Sequence, residues 1–125
     1  MKSRFLNVDL EVLSRTNPAP LVKALGKKVH VLYCAAYESG YLATFEMSFD
    51  RPSLERRLGY FCDLLETLPP PAARIWKQAR RRTFDIGLQS GDSFPALALR
   101  IEAKTLARVT ALGATIAITL YPMIQ

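Results

Sequence analysis

The sequence predicts one α/β domain, residues 1–125, built as a two-layer sandwich with helices on one face of a mixed sheet. Segments that alternate polar and apolar residues indicate half-buried strands, and segments with apolar residues at helical spacing indicate helices. The order strand, helix, glycine stop, strand occurs over about 5–35 and again over 83–121. Right-handed crossovers would place the helices of both units on the same face, so a ferredoxin-like arrangement is expected. With 125 residues, half of them hydrophobic, the chain is long enough for one core.

The first unit begins with the clearest alternation in the chain, over residues 5–13. Its apolar positions face one way and its polar positions face the other: Val8, Leu10 and Val12 against Asn7, Asp9 and Glu11. Residues 16–18 supply a helix cap with an early proline, and Gly26 ends the short helix that follows. The second strand of the unit covers 28–36.

A hairpin and two helices join the two units. The turn at 37–40 returns the chain into a strand over 41–49. Pro52 and Ser53 open a helix over 53–68, in which one continuous stripe of apolar side chains is predicted to face the core: Leu54, Leu58, Phe61, Cys62, Leu65 and Leu68. The triple proline 69–71 ends this helix, and a second helix is expected over 72–81.

The second unit repeats the pattern of the first. Residues 83–89 are the strand that echoes 5–13, and 97–101 suggest a short additional strand. A helix over 102–112 ends at Gly113. Its counterpart in the first unit, Gly26, is expected in a left-handed conformation. The final strand covers 114–121, and residues 118–121 are predicted to form an edge able to pair with another chain, so a homo-oligomer is one option.

Two aspartates occupy matching positions of the repeat, on the polar face of the predicted sheet. Asp9 and Asp85 suggest a carboxylate pair for acid/base chemistry or for a metal, since aspartate is disfavoured in strands. Duplication of one solvent-facing aspartate explains the same pattern without any function. No nucleophile or oriented histidine accompanies them, so we expect no enzyme activity. With Glu11, the two aspartates are instead our candidates for a binding face.

The positive charge of the chain is concentrated in one segment. Residues 74–82 contain five of the 17 basic residues and no acidic one, while the chain as a whole has a net charge of +6. Arg74, Lys77 and Arg81 are three and four residues apart, so one helix face would present all three. That face is a candidate second binding surface, for nucleic acid or for an acidic protein, and a solvated helix face is the competing interpretation.

Other chemical motifs are not found. Cys34 and Cys62 have no metal-ligand spacing and are expected to be buried reduced thiols of a cytoplasmic protein. His30 is the only histidine, and it is expected to be a packed or edge residue. No glycine loop for phosphates, zinc motif or membrane-length apolar run occurs, so we predict no cofactor, no metal and no membrane association.

The whole chain resembles small uncharacterised bacterial α/β proteins of unknown function. The resemblance rests on four short segments and one tryptophan: residues 7–10, Trp76, residues 84–87, 111–113 and 118–121. The chain is also similar in size and build to immunity proteins of bacterial toxin systems, which implies no site residues. Our leading hypothesis is therefore a non-enzymatic protein-binding domain with an immunity- or antitoxin-like role and a protein partner, in the most specific form a toxin. A nucleic-acid-binding protein using the basic helix 72–82 and a small enzyme centred on Asp9 and Asp85 are the alternatives.

Overall fold

The computed structural model describes residues 1–47 and 53–123, which form a mixed α/β fold. Over these residues there are five strands: β1 (Arg4–Ser14), β2 (Val29–Tyr37), β3 (Gly40–Met47), β4 (Arg81–Gln89) and β5 (Thr115–Tyr121). They also contain four α-helices: α1 (Ala19–Leu25), α2 (Leu54–Glu66), α3 (Pro70–Gln78) and α4 (Ala103–Ala111), with a short 3-10 turn, Gly26–Lys28, after α1. The last two residues of the predicted strand 41–49, and Pro52, lie outside the described residues.

All five strands belong to one sheet in the order β2-β3-β1-β4-β5. β1 is the central strand and pairs antiparallel with both β3 and β4. β2 pairs antiparallel with β3, whereas β5 is parallel to β4. The sheet is therefore mixed, as predicted.

The core follows from the alternation in β1. Val8, Leu10 and Val12 are fully buried, and Leu10 lies opposite Phe45 on β3 and Phe84 on β4. The predicted apolar stripe of α2 belongs to the same core, apart from Leu68, which is partly buried beside it. Its Phe61 ring lies 5.5 Å, centroid to centroid, from the ring of Phe84, at a tilted angle typical of aromatic pairs. Each fully buried side chain of this size contributes about 1.5–3 kcal/mol.

The two predicted repeat units have the same element order but different strand pairing. In the second unit β4 and β5 are adjacent and parallel, while in the first β3 separates β1 from β2. Both glycines follow their helices with positive φ, 54° at Gly26 and 72° at Gly113, but the ψ of −130° at Gly26 lies outside the left-handed helical region that was expected there. The repeat therefore extends to local chain geometry and not to sheet pairing.

Two predicted helices have different bounds in the structure, and one predicted strand is not formed. The helix predicted over 72–81 runs from Pro70 to Gln78, because prolines are accepted in the first turn and Ala79 turns extended with ψ 143°. The helix predicted over 53–68 runs from Leu54 to Glu66, with the Ser53 hydroxyl accepting from the Arg56 amide as its N-cap. The additional strand at 97–101 is not formed: this segment is irregular.

Arg82 and Trp76 connect the ends of α3 and α4 to the sheet. Arg82 of β4 lies opposite Val12 of β1, and its guanidinium donates to the carbonyl oxygens of Trp76 (2.8 Å) and Gly113 (3.1 Å). It also lies 5.8 Å from the centroid of the Trp76 ring system, whose Nε1 donates to the Leu112 carbonyl at 3.0 Å. Arg82 and Trp76 thus supply side-chain donors to carbonyl groups at the ends of two helices.

We predict that Arg82→Ala lowers the free energy of unfolding by about 1–3 kcal/mol, because it removes the guanidinium hydrogen bonds to these carbonyl oxygens and the contact with Trp76. Arg74→Ala is the matched control from the same basic segment, since Arg74 is exposed on α3, and we expect a change within about 0.5 kcal/mol. Urea denaturation of both variants measures the difference. Equal losses in the two variants would contradict a structural role for Arg82.

Candidate functional site

The candidate site lies on the polar side of the sheet, where β1 is flanked by β3 and β4. Asp9 and Asp85 lie directly opposite each other across β1 and β4. Glu11 lies opposite Thr83 on the same pair of strands, and opposite Thr44 on β3. The structure thus brings the three acidic residues predicted for one binding face together. We call Asp9, Glu11, Glu46 and Asp85 the acidic face.

Asp9 has the most perturbed environment of this group. Its Oδ1 is shielded from solvent and finds no hydrogen-bond partner among the described residues. Burial raises the pKa of Asp9 from 3.8 to about 6, with further increases from the charges of Glu46, Asp85 and Glu11, in that order. Asp9 is therefore the acidic residue whose negative charge is most costly to maintain in the folded chain.

The pKa of Glu11 is raised as well. Partial burial raises its pKa first and the charge of Asp85 second, while Arg81 acts in the opposite sense and lowers it. The strand register explains why Arg81 lies near Glu11. Arg81 is opposite Leu13, which is two residues along β1 from Glu11 and on the same side of the strand. A cation thus lies at one end of the acidic face.

Glu46 is the member of the site that the sequence prediction missed. Asn7 Nδ2 donates to Glu46 Oε2 at 2.7 Å, and Arg57 from α2 donates to Asn7 Oδ1. In the sequence, Thr44 and Glu46 alternate with apolar residues along the predicted hairpin strand, which placed Glu46 on a polar face. The missing information was that β3 pairs with β1, which places Glu46 beside Asp9.

Asp85 is held in place from β5. The Thr119 hydroxyl donates to Asp85 Oδ1 at 2.7 Å. This bond fixes the carboxylate against the neighbouring strand and leaves Asp85 partly exposed. The acidic face is therefore built on paired strands, which position side chains more rigidly than loops do.

The predicted basic helix face does not form. Arg74 and Lys77 are exposed on α3, but Arg81 belongs to β4 and lies beside Glu11. The Arg82 guanidinium already donates to carbonyl oxygens, and Arg80 donates to the Ser39 hydroxyl at 3.2 Å. The prediction that one helix face presents Arg74, Lys77 and Arg81 is wrong, because the chain becomes extended at Ala79 before the third residue is reached.

The cysteines and the histidine lie apart from the acidic face. Cys62 is a buried free thiol on α2, and burial raises its pKa to about 11. Cys34 is also free, but the prediction that it is buried is wrong, since β2 is an outer strand and is exposed from His30 onward. His30 is confirmed as an edge residue, opposite Glu46. Among the described residues, no three His, Cys, Asp or Glu side chains are grouped to hold a metal ion.

One further cavity lies between two helices and not on the acidic face. It is an open cleft of about 630 Å³ between α1 and the start of α3, lined by small apolar residues, prolines and one lysine: Ala19, Pro20, Lys23, Ala24, Pro69, Pro71 and Ala72. Neither Asp9 nor Asp85 contributes to its wall. The acidic face and this cleft are therefore separate features of the fold.

Among residues 1–47 and 53–123, none of the helices has the length and apolar character needed to cross a membrane. No family model matches the chain, and no curated protein sequence and no solved structure matches it either.

We predict that the free energy of unfolding rises by about 1 kcal/mol as the pH falls from 8 to 5, after allowance for partial exposure of Asp9. The sign follows from the raised pKa: the folded chain binds a proton at Asp9 more tightly than the unfolded chain, so protonation stabilises the fold. Asp9→Asn should remove most of this pH dependence and stabilise the fold at pH 8.

Urea denaturation of both proteins at pH 5 and pH 8 tests the prediction. Glu102→Gln is the matched control, because Glu102 is an exposed carboxylate next to α4, and it should keep the wild-type pH dependence. If Asp9→Asn destabilises the chain at pH 8, the charge of Asp9 is not the source of the effect.

Proposed function

We propose that this chain is a non-enzymatic protein-binding domain whose acidic face docks against a basic surface of a partner protein. The observation that supports this most is the shielded Asp9 Oδ1, which has no hydrogen-bond partner among the described residues. An arginine of a partner beside the partly exposed Asp9 carboxylate would neutralise the charge that Glu46, Asp85 and Glu11 make costly. Docking thus relieves an electrostatic cost present in the isolated domain.

The geometry favours a protein partner over a small ligand. The acidic residues lie on three adjacent strands, and each is only partly buried. A surface of this kind matches an extended patch with several arginine or lysine side chains, whereas small ligands are usually enclosed in pockets. A toxin with a basic active surface is the most specific partner for this hypothesis, which makes the domain an immunity- or antitoxin-like protein.

The same proposal includes the finer architecture and the compartment. The order β2-β3-β1-β4 with a β-α-β-β start supports a ferredoxin-like arrangement, to which α4 and β5 are added. Buried side chains of α1, α2, α3 and α4 share one cluster with those of β1, which supports helices on one face of the sheet. Two free cysteines, one of them exposed, are compatible with a reducing cytoplasm.

The two alternatives have less support. Nucleic-acid binding depended on a three-residue basic face, and only Arg74 and Lys77 remain on α3. An enzyme centred on Asp9 and Asp85 required a cavity into which both carboxylates point, and the cleft that we describe lies between α1 and α3. We therefore retain the protein-binding hypothesis.

The test uses a defined probe, an acetylated and amidated pentapeptide in which arginine alternates with threonine. Titrated into ¹⁵N-labelled protein at low salt, it should shift amide resonances of β1, β3 and β4 around Asp9 and Asp85. The double variant Asp9→Asn/Asp85→Asn should weaken binding at least about fivefold, since each exposed charge pair contributes up to about 1 kcal/mol.

The control double variant Asp63→Asn/Glu66→Gln removes the same charge from α2, where both carboxylates accept from Arg108, and it should bind like the wild type. Shifts that cluster on α2 or α3, or equal weakening in both double variants, would show that the acidic face is not the binding surface. No binding of the peptide at low salt would contradict the proposal as well.

A further inference from the structure

Within residues 1–47 and 53–123, β5 is an outer strand of the sheet without the usual protection of a sheet edge. It pairs with β4 over seven consecutive residues without a bulge, and its other side is at the end of the sheet. Residues 115–121 contain no charged residue, no proline and no glycine. Edge strands are normally protected from pairing by lysines, prolines or bulges. The other outer strand, β2, does have a bulge, between Val31 and Tyr33.

The apolar side of β5 is uncovered. Ile118 and Leu120 are 68% and 62% exposed, although they lie opposite Ile86 and Leu88 on the side of the sheet that forms the core. Ile86 is buried, so the apolar surface of the sheet continues beyond the part that the helices cover. Exposed apolar surface at the end of a core is typical of an interaction site.

The side of α4 that faces away from α2, its outer side, is also exposed and uncharged. Thr105 and Arg108 bind Glu55 and Glu66 of α2, so these residues mark the side of α4 that faces α2. Helical spacing places four exposed, uncharged residues on the other side: Ala103, Leu106, Ala107 and Thr110. The Thr110 hydroxyl donates to the Leu106 carbonyl at 2.9 Å, so the polar group of this side is already bonded.

We propose that β5 pairs antiparallel with β5 of a second copy of this chain, about a twofold axis that passes beside Ile118. Such an axis, perpendicular to the sheet, brings residues of the same face opposite each other. Ile118 is the middle residue of the strand, so this is the register in which all seven residues pair. Ile118 then contacts Ile118 of the second copy, and Ile116 contacts its Leu120.

Charge favours a second copy as the occupant of this edge. Two copies with a net charge of +6 repel each other. However, β5 and the outer side of α4 contain no charged residue, so no like charges meet at the axis. A partner of opposite charge would gain no attraction from this neutral surface. About a dozen residues per copy take part, fewer than the 20–30 of a standard interface, so we expect a dissociation constant in the micromolar range.

This inference is independent of the proposed function. The dimer has one continuous sheet of ten strands, and the acidic faces of both copies lie on the same side of it. Neither face is covered, because each is separated from the axis by β5. The dimer therefore leaves both candidate binding surfaces open to partners.

Sedimentation equilibrium from about 5 to 500 μM tests the dimer, since this range brackets micromolar affinity. We expect a concentration-dependent dimer for the wild type. Ile118→Lys places two like charges opposite each other at the axis and should raise the dissociation constant at least about tenfold. Val31→Lys, at a 43% exposed residue of the other edge, is the control and should leave it unchanged.

Cross-linking in a Cys34→Ser background tests the register independently of stability. Ile118→Cys places two thiols directly opposite each other, within the Cα separation that a disulfide accepts. Ala117→Cys is the neighbouring control, because position 117 lies diagonal to its own copy, about 7–8 Å away between Cα atoms, and should cross-link at least about tenfold less.

Three results would overturn the proposal: a monomer at the highest concentration, a dimer lost in Val31→Lys and kept in Ile118→Lys, or equal cross-linking at both positions. Circular dichroism checks that Ile118→Lys is folded. The arginine peptide should bind Ile118→Lys as it binds the wild type, so failure of the dimer and failure of the acidic-face proposal are distinguishable.

Discussion

The alternation of apolar and acidic residues along β1 determines both the core and the candidate site. β1 is paired on both sides, so its backbone hydrogen bonds fix its register against β3 and β4. A shift of one residue would bury Asp9 and Glu11 and expose Val8, Leu10 and Val12, which costs several kcal/mol for the charges alone. The requirement for a core therefore also fixes the position of the acidic face.

This constraint has an electrostatic cost. Like charges on adjacent strands are destabilising, and the sheet does not allow the carboxylates to move apart as they would on a loop. As a result the pKa of Asp9 is raised, whereas the Asp85 carboxylate accepts a hydrogen bond from Thr119 that stabilises its charge. Electrostatic destabilisation concentrated on one surface is common at functional sites, where a partner supplies the compensating interactions.

Local patterns in the sequence predicted the parts of the fold that depend on local chemistry. The alternation in β1, the apolar stripe of α2, the two glycine stops and the location of Asp9 and Asp85 on one polar face all follow from spacing. The role of Glu46 depends on β3 lying next to β1, and the position of Arg81 depends on Ala79 turning extended after a helix that starts within the triple proline. Both are non-local or boundary effects, which residue spacing alone does not determine.

The distribution of charge gives the acidic face a further property. The chain has 17 basic and 11 acidic residues, yet four of the acidic ones are grouped on one side of the sheet. A basic partner is repelled by most of the surface and attracted by this face, so approach in a wrong orientation is disfavoured before contact is made. If two such faces lie on the same side of a dimer, a partner with two basic patches gains the second contact at a high effective concentration. Selectivity then comes from the spacing of the two faces as well as from the residues on each of them.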